Sequence, residues 1–191
     1  MKDTYMGSNE ELRKENIAAR QFTLKYNQMD PADTEGHFIA LKSFLGDIGE
    51  KSRILAPFYC DRGNKIHIGK GSFVNYGATF LDMTDIYIGD DVRIAPNCSI
   101  YTVSHPIDYK QRKARICYTE EVTIGDHTWI CGNVTILPGV HIGERCVIGA
   151  GSVVTKDVPD DSFAYGVPCK VICKTYEKED IFATFIDNEK R

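Results

Sequence analysis

A chain of 191 residues with 42% apolar and 26% charged residues has enough apolar side chains for one buried core and too ordinary a mix for disorder. A formal charge of −4 leaves no basic surplus to neutralise phosphates, so general nucleic-acid binding is not expected. No apolar run approaches the ~20 residues of a membrane span. The polar start, Met1 to Lys14, lacks the apolar stretch of a secretory leader, and seven cysteines without a disulfide-like spacing point to reduced thiols in a cytoplasmic protein.

Residues 8–29 read as an amphipathic helix. Ser8 with Glu11 has the spacing of a capping box, and Leu12, Ala19, Phe22, Tyr26 and Met29 fall on one stripe. Asp30-Pro31 punctuates it, Asp30 suited to cap and Pro31 to open a second helix whose stripe is Phe38, Leu41 and Leu45. Gly46 and Gly49 end that helix.

Beyond about residue 54 the helical period gives way to one of six. Ile124, Ile130, Ile136, Ile142, Ile148 and Val154 follow one another at six-residue steps. Ile68, Val74 and Phe80 do the same earlier, and after a two-residue slip so do Ile88, Ile94 and Ile100. Four positions after each comes a small or β-branched residue, such as Ser72, Ala78, Thr84, Val92, Cys98 or Ser104. Such a repeat is one supersecondary unit that buries nothing alone and is stabilised by stacking. Three short parallel strands joined by tight turns make a triangular coil, with the aliphatic residue inside and the small one at the corner. Glycine after the aliphatic residue, as at Gly69, Gly89, Gly125, Gly143 and Gly149, is expected to serve a turn at positive φ. Cys98 and Cys146 take corner positions as small fillers.

The hexads stop between Ser104 and Val122. The intervening segment carries Lys110, Arg112, Lys113 and Arg115, and a loop of this length thrown from a compact repeat is usually functional. It departs immediately after His105, which precedes Pro106. A histidine at such a rim is a candidate base or a loop anchor. His67, His127 and His141 are expected on the surface, and His37 lies in the second helix. Cys169 and Cys173 stand four apart without a second Cys/His pair, and His105, His127 and His141 do not fall on matching faces, so no metal site is expected; no phosphate-binding glycine loop is present, so nucleotide hydrolysis is not expected either.

Several segments carry a more specific signal. Asn64-Lys65-Ile66-His67-Ile68-Gly69, Ile88-Gly89-Asp90-Asp91-Val92-Arg93-Ile94-Ala95-Pro96-Asn97, Ser104-His105-Pro106, Thr128-Trp129-Ile130, Leu137-Pro138-Gly139-Val140, Val147 to Asp157 and Gly166-Val167-Pro168-Cys169 stand in this order. With Tyr26-Asn27 and Asp30-Pro31, this pattern resembles the hexapeptide-repeat sugar O-acetyltransferases, the group of maltose and galactoside acetyltransferases. The resemblance and the repeat together imply a mainly β fold. It is a left-handed parallel β-helix over residues 51–173 with an extruded loop at 106–121, a helical subdomain at 1–50 and a tail at 174–191.

The resemblance also implies roles. His105 falls on the family's general base, which takes the proton of an acceptor hydroxyl as that oxygen attacks the thioester of acetyl-CoA directly; neutral imidazole suits such a step. Asp61, Asn75 and Asp82 fall at the acceptor site. Trp129 matches a residue beside the pantetheine and acetyl end, Gly132 and Ala150 match positions whose backbone meets the pantetheine arm, and Thr155, Lys156 and Lys170 match positions near the adenosine phosphates. Family members are homotrimers with sites shared between subunits. Three departures bear on the acceptor and donor: Met6 and Met83 stand where the family has acids, and Cys173 where it has an arginine, with Lys174 beside it. Acetylation of a drug or amino sugar on the same fold, and a catalytically silent trimeric scaffold, are the competing readings.

Overall fold

The computed structural model describes residues 3–6 and 10–177. Two helices precede the repeat, α1 over Glu10–Tyr26 and α2 over Thr34–Phe44. The expected capping Ser8 lies outside the described residues, as do residues 178–191 of the expected tail. The apolar stripe of α1 is seated on the first coil: Ala19 and Tyr26 are buried, Phe22 stacks on Phe44 with centroids 3.8 Å apart, and the Tyr26 hydroxyl donates to the Ile54 carbonyl. The start of α2 differs from expectation. Asp30 closes a separate turn by accepting from Ala32 N–H, and Asp33 caps the helix by accepting from Gly36 N–H. Gly36 makes this possible, because a Cβ there would stand 2.1 Å from the Asp33 carboxylate.

The rest is a parallel β-solenoid with three faces. The first face stacks Asp47–Ile48, Ile66–Ile68, Ile86–Ile88, Val122–Ile124 and His141–Ile142. The second stacks Arg53–Ile54, Phe73–Val74, Arg93–Ile94, Trp129–Ile130, Val147–Ile148 and Ser162–Tyr165, with Lys170–Lys174 closing it antiparallel. The third stacks Phe58–Cys60, Ala78–Leu81, Ser99–Tyr101, Thr135–Ile136 and Val153–Val154. The coil therefore begins at Asp47, slightly before the boundary read from the sequence. The aliphatic residue of each hexad is buried inside, each worth roughly 1.5–3 kcal/mol of apolar burial.

The early coils are longer than the late ones. Asp47 pairs with His67, Arg53 with Phe73 and Phe58 with Ala78, a rise of twenty residues per coil. Thr123 pairs with His141, Trp129 with Val147 and Thr135 with Val153, a rise of eighteen. The slip after Phe80 is thus one of two; the other follows Cys60, where the run Ile66-His67-Ile68 hides it. Both extra pairs of residues enter at the third corner, between the third face and the first face of the next coil.

That corner also breaks the small-residue rule. Thr84 and Ser104 are only half-buried, and the corner slots are filled instead by Asp82 and Thr102, both fully buried. The longer turns leave backbone N–H groups pointing inward, and a buried donor requires a partner. Asp82 accepts from the N–H groups of Asp61 and Arg62 at 2.9 Å and of Gly63 at 2.6 Å. Thr102 Oγ1 donates to the Leu81 carbonyl at 2.8 Å and accepts from Thr84 N–H at 3.0 Å. At the other corners Ser52, Ser72 and Thr128 link coils through their hydroxyls, and Cys98 and Cys146 sit buried with Sγ 3.1 Å and 3.2 Å from the Cys131 and Pro159 carbonyls.

The expected reason for the repeated glycine also needs correction. Positive φ falls two residues later in the first corner, at Asp91, His127 and Arg145, and not at Gly89, Gly125 or Gly143. What those glycines provide is clearance between coils. A Cβ on Gly125 would lie 2.6 Å from the backbone of Gly143 and Glu144. His67, expected as a plain surface residue, is half-buried, with Nε2 3.0 Å from Asp85 and its ring stacked on Tyr87.

The excursion after His105 is not a bare loop. Val103–Ser104 runs out, α3 (Tyr109–Lys113) forms the tip, and Ile116–Thr119 returns antiparallel. The amino-terminal strand Asp3–Met6 pairs antiparallel with the far edge of the returning strand, completing a sheet of three. Its register places Tyr5 opposite Cys117 and Met6 opposite Ile116.

Candidate functional site

His105 stands at the base of this hairpin, exposed, with Pro106 buried directly behind it. The backbone beyond is pinned from α3, whose Arg112 guanidinium donates to the Pro106 carbonyl at 2.8 Å and also to the Ile107 carbonyl. Ile107 itself is 97% exposed at the outer edge of the excursion. The ring nitrogen Nδ1 of His105 lies 3.5 Å from Cys117 Sγ on the returning strand. Nε2 is therefore on the opposite edge of the ring. Burial pushes the Cys117 thiol above its ordinary value, so it is a neutral S–H near pH 7. Cys117 is the residue that the sequence did not single out. The only local signal is the short β-forming run Ile116-Cys117-Tyr118-Thr119 inside an otherwise polar, basic segment.

Below His105 the third corner continues downward. Thr102 stands on the same coil as His105, Asp82 one coil below and Asp61 two coils below, ~10 Å along the axis at ordinary strand spacing. Asp61 is half-buried; burial pushes its carboxyl up while Arg20 of α1 pulls it down. The corner is clamped by α1: Glu15 and Arg62 form an ion pair at 2.8 Å, Asn16 donates to the Asp61 carbonyl, and Arg62 also donates to the Met83 carbonyl. Asp82, expected at the acceptor site, has no surface open to a ligand. Its side chain is enclosed and its oxygens hold the 61–63 turn. Burial pushes its carboxyl up to about 6, against the pull of the same N–H donors. Two coils above His105 on this corner lie Thr155 and Lys156, both exposed.

Asn75, Gly132 and Ala150 stand on another edge, the second corner, between the second and third faces. Here the turns Asn75-Tyr76-Gly77, Ala95-Pro96-Asn97, Cys131-Gly132-Asn133 and Gly149-Ala150-Gly151 stack in register, tied by N–H to carbonyl bonds from Asn97 to Tyr76, Asn133 to Pro96 and Gly151 to Gly132. Gly77, Asn97, Asn133 and Gly151 all adopt positive φ, which turns the chain sharply at every level. The outer surface is open: a Cβ on Gly132 would meet only the Pro96 carbonyl, at 3.4 Å, and Ala150 is exposed. Asn75 is half-buried, its side-chain oxygen accepting from Tyr76 N–H. Trp129 is on the outside of the adjacent second face, half-buried between Arg93 and Val147, and Lys170 is exposed on the closing strand.

The expected site residues thus fall into two separate groups on one chain. His105, Asp61, Thr155 and Lys156 share the third corner. Asn75, Gly132 and Ala150 share the second, and the width of the third face separates them. A cavity of about 420 Å³ between α1, α2 and the first coil, lined by Tyr26, Met29, His37 and Phe38 among others, contains none of these residues. Among the described residues no group of three or more His, Cys, Asp or Glu side chains is arranged to hold a metal ion, and no helix is long and apolar enough to cross a membrane.

Comparison with known proteins agrees with the repeat. Residues 121–156 match the model of the bacterial transferase hexapeptide family, six repeats long. The galactoside O-acetyltransferase of Lactococcus lactis is 38% identical over 189 residues, 98% of this chain and 90% of that one. Among solved structures, a maltose O-acetyltransferase from Clostridium difficile superposes with a TM-score of 0.88 at 42% identity, covering 90% of this chain and 92% of its own. A galactoside acetyltransferase in complex with coenzyme A gives 0.87 at 35% identity, covering 90% and 86%.

Proposed function

The chain belongs to the hexapeptide-repeat acetyltransferases of the galactoside and maltose O-acetyltransferase group, and from this premise we propose that it transfers the acetyl group of acetyl-CoA directly to a hydroxyl of a sugar or glycoside, with His105 as general base. It is an acyltransferase, and acetyl-CoA is its co-substrate. The observation that carries the base assignment is the placement of His105: exposed, at the mouth of the one long excursion, with Nδ1 turned toward Cys117 and Nε2 outward. In the proposed step Nε2 removes the hydroxyl proton as the oxygen attacks the thioester carbonyl. The tetrahedral intermediate collapses, the bond to sulfur breaks, and the imidazolium returns its proton to the departing CoA thiolate.

On the donor side, Trp129 packs beside the acetyl and pantetheine end, Gly132 and Ala150 let the pantetheine arm approach the backbone, and Thr155, Lys156 and Lys170 meet the adenosine phosphates. The later turns of the second corner support this, since Gly132 and Ala150 leave a smooth edge there for a slender chain. On the acceptor side, Asp61 and Asn75 hydrogen-bond hydroxyls. The division of these groups between two corners supports a homotrimer of left-handed coils, each site formed by the third corner of one copy and the second corner of its neighbour. The working compartment in this reading is the cytoplasm.

Thiol release from acetyl-CoA, followed over a panel of galactosides, maltose and amino sugars, tests the proposal. Turnover with at least one hydroxyl acceptor is expected, and Lys156→Ala raises KM for acetyl-CoA about fivefold, the size of one exposed phosphate pair. No turnover with any acceptor, together with unchanged CoA binding on removing Lys156, would overturn it. Faster turnover of amino sugars would favour the competing acceptor class, for which Met83 at an expected acidic position is the motivating observation.

A further inference from the structure

We propose that Cys117 is a positioning residue for His105: its sulfur accepts the Nδ1–H and so fixes the tautomer in which Nε2 carries the lone pair. The contact is a property of the folded chain, while the choice of this tautomer over S–H donation to Nδ1 rests on the reading of His105 as the base.

The contact follows from register. Val103 pairs with Thr119 and Ser104 with Tyr118 across the hairpin, so the next pair in the antiparallel series is His105 with Cys117. Directly opposed residues on two antiparallel strands bring their Cβ atoms to ~5 Å, and the observed Nδ1 to Sγ distance of 3.5 Å is what a sulfur acceptor, with its larger radius, allows. Cys117 is held from its other side as well, by pairing with Tyr5 of the amino-terminal strand. The sulfur is thus placed by two neighbouring strands, while the Pro106 carbonyl behind the ring is fixed by Arg112.

The chemistry of the thiol suits this task. A neutral imidazole has one N–H and one lone pair, and whichever nitrogen is held as donor decides which one can act as base. A thiolate here would draw a proton onto the ring and consume the lone pair the reaction requires. Burial raises the thiol's pKa, so the sulfur stays neutral and the imidazole remains available as a base. The opposite arrangement, S–H donating to Nδ1, would put the proton on Nε2 and leave the outward nitrogen unable to accept one.

The test uses the full-length protein labelled with nitrogen-15 histidine. Long-range nitrogen–proton spectra above the titration range report which nitrogen of His105 carries hydrogen, with His105→Ala identifying its signals. Expected is the Nδ1–H form in the wild type and in Cys117→Ser, whose oxygen also accepts, and a shift toward Nε2–H in Cys117→Val, which keeps the bulk and loses the acceptor. In steady-state assays Cys117→Val should lower kcat ~3- to 10-fold with KM for acetyl-CoA unchanged, while Cys117→Ser stays within about twofold of wild type, the scale of one neutral hydrogen bond. An Nε2–H wild type, or a Val variant with wild-type tautomer and kcat, would overturn the proposal. If His105→Ala keeps full activity, the base assignment fails on its own while the tautomer result still stands.

Discussion

The second and third corners of the coil are built from the same hexad and solve opposite problems. The second corner keeps a strict period, repeats positive φ at Gly77, Asn97, Asn133 and Gly151, and carries nothing larger than a small residue at Gly132 and Ala150. The third corner takes in two extra residues on the early coils and then eighteen on the excursion. It buries Asp82 and Thr102 to satisfy the widened turns and holds His105, the base we propose. In the proposed function the regular edge takes the cofactor arm and the irregular one supplies the functional groups.

The largest effect that sharpens this contrast is on chemistry. His105→Ala should lower kcat by ~10²- to 10⁴-fold in the thiol-release assay while leaving the melting temperature unchanged, because an exposed ring is removed and no core contact goes with it. A loss below tenfold would return His105 to the role of a loop anchor.

Next in size is a stability contrast between glycines. Gly125→Ala forces a Cβ to 2.6 Å from the backbone of the next coil and should cost about 2–4 kcal/mol in denaturant unfolding. Gly132→Ala meets only the Pro96 carbonyl at 3.4 Å and should stay within ~1 kcal/mol. Equal costs would mean that turn conformation, and not clearance between coils, selects these glycines.

Asp82 offers a pH test of the third corner. Its folded-state value of about 6 lies above the ordinary 3.8, so the native state keeps the proton longer than the unfolded chain does. The stability this group contributes is therefore fully present below pH ~4 and lost as pH rises through 6, by roughly 2–3 kcal/mol. Wild type minus Asp82→Asn, compared by chemical denaturation at pH 4 and pH 7, should show that decline. A flat difference would indicate that the three N–H donors fully offset the burial of the charge.

Much of the architecture was legible because the six-residue period is written in aliphatic residues that all meet one interior. The slip after Phe80 was visible for the same reason, whereas the slip after Cys60 was masked by Ile66 and Ile68, both apolar and both buried. The small-residue rule misplaced Thr84 and Ser104, since a widened turn shifts the corner slot by two and fills it with a hydrogen-bonding group. The resemblance placed Asp82 at the acceptor site, but family position does not show that its carboxylate is enclosed by the turn's own N–H groups. His105 was legible from where the repeat stops. Cys117 was not, because its partner is set by hairpin register, and nothing in a polar segment announces a two-strand return.

The proposed catalysis requires that the two corners meet between copies of the chain. His105→Ala disables the third corner, and Ala150→Trp, at an exposed position, blocks the second; each alone should be inactive. Co-refolded at equal amounts, random trimers should regain about one quarter of wild-type activity, since one interface in four joins two intact corners. Activity no greater than the sum of the two parents would contradict the shared site and place both corners' work within a single chain.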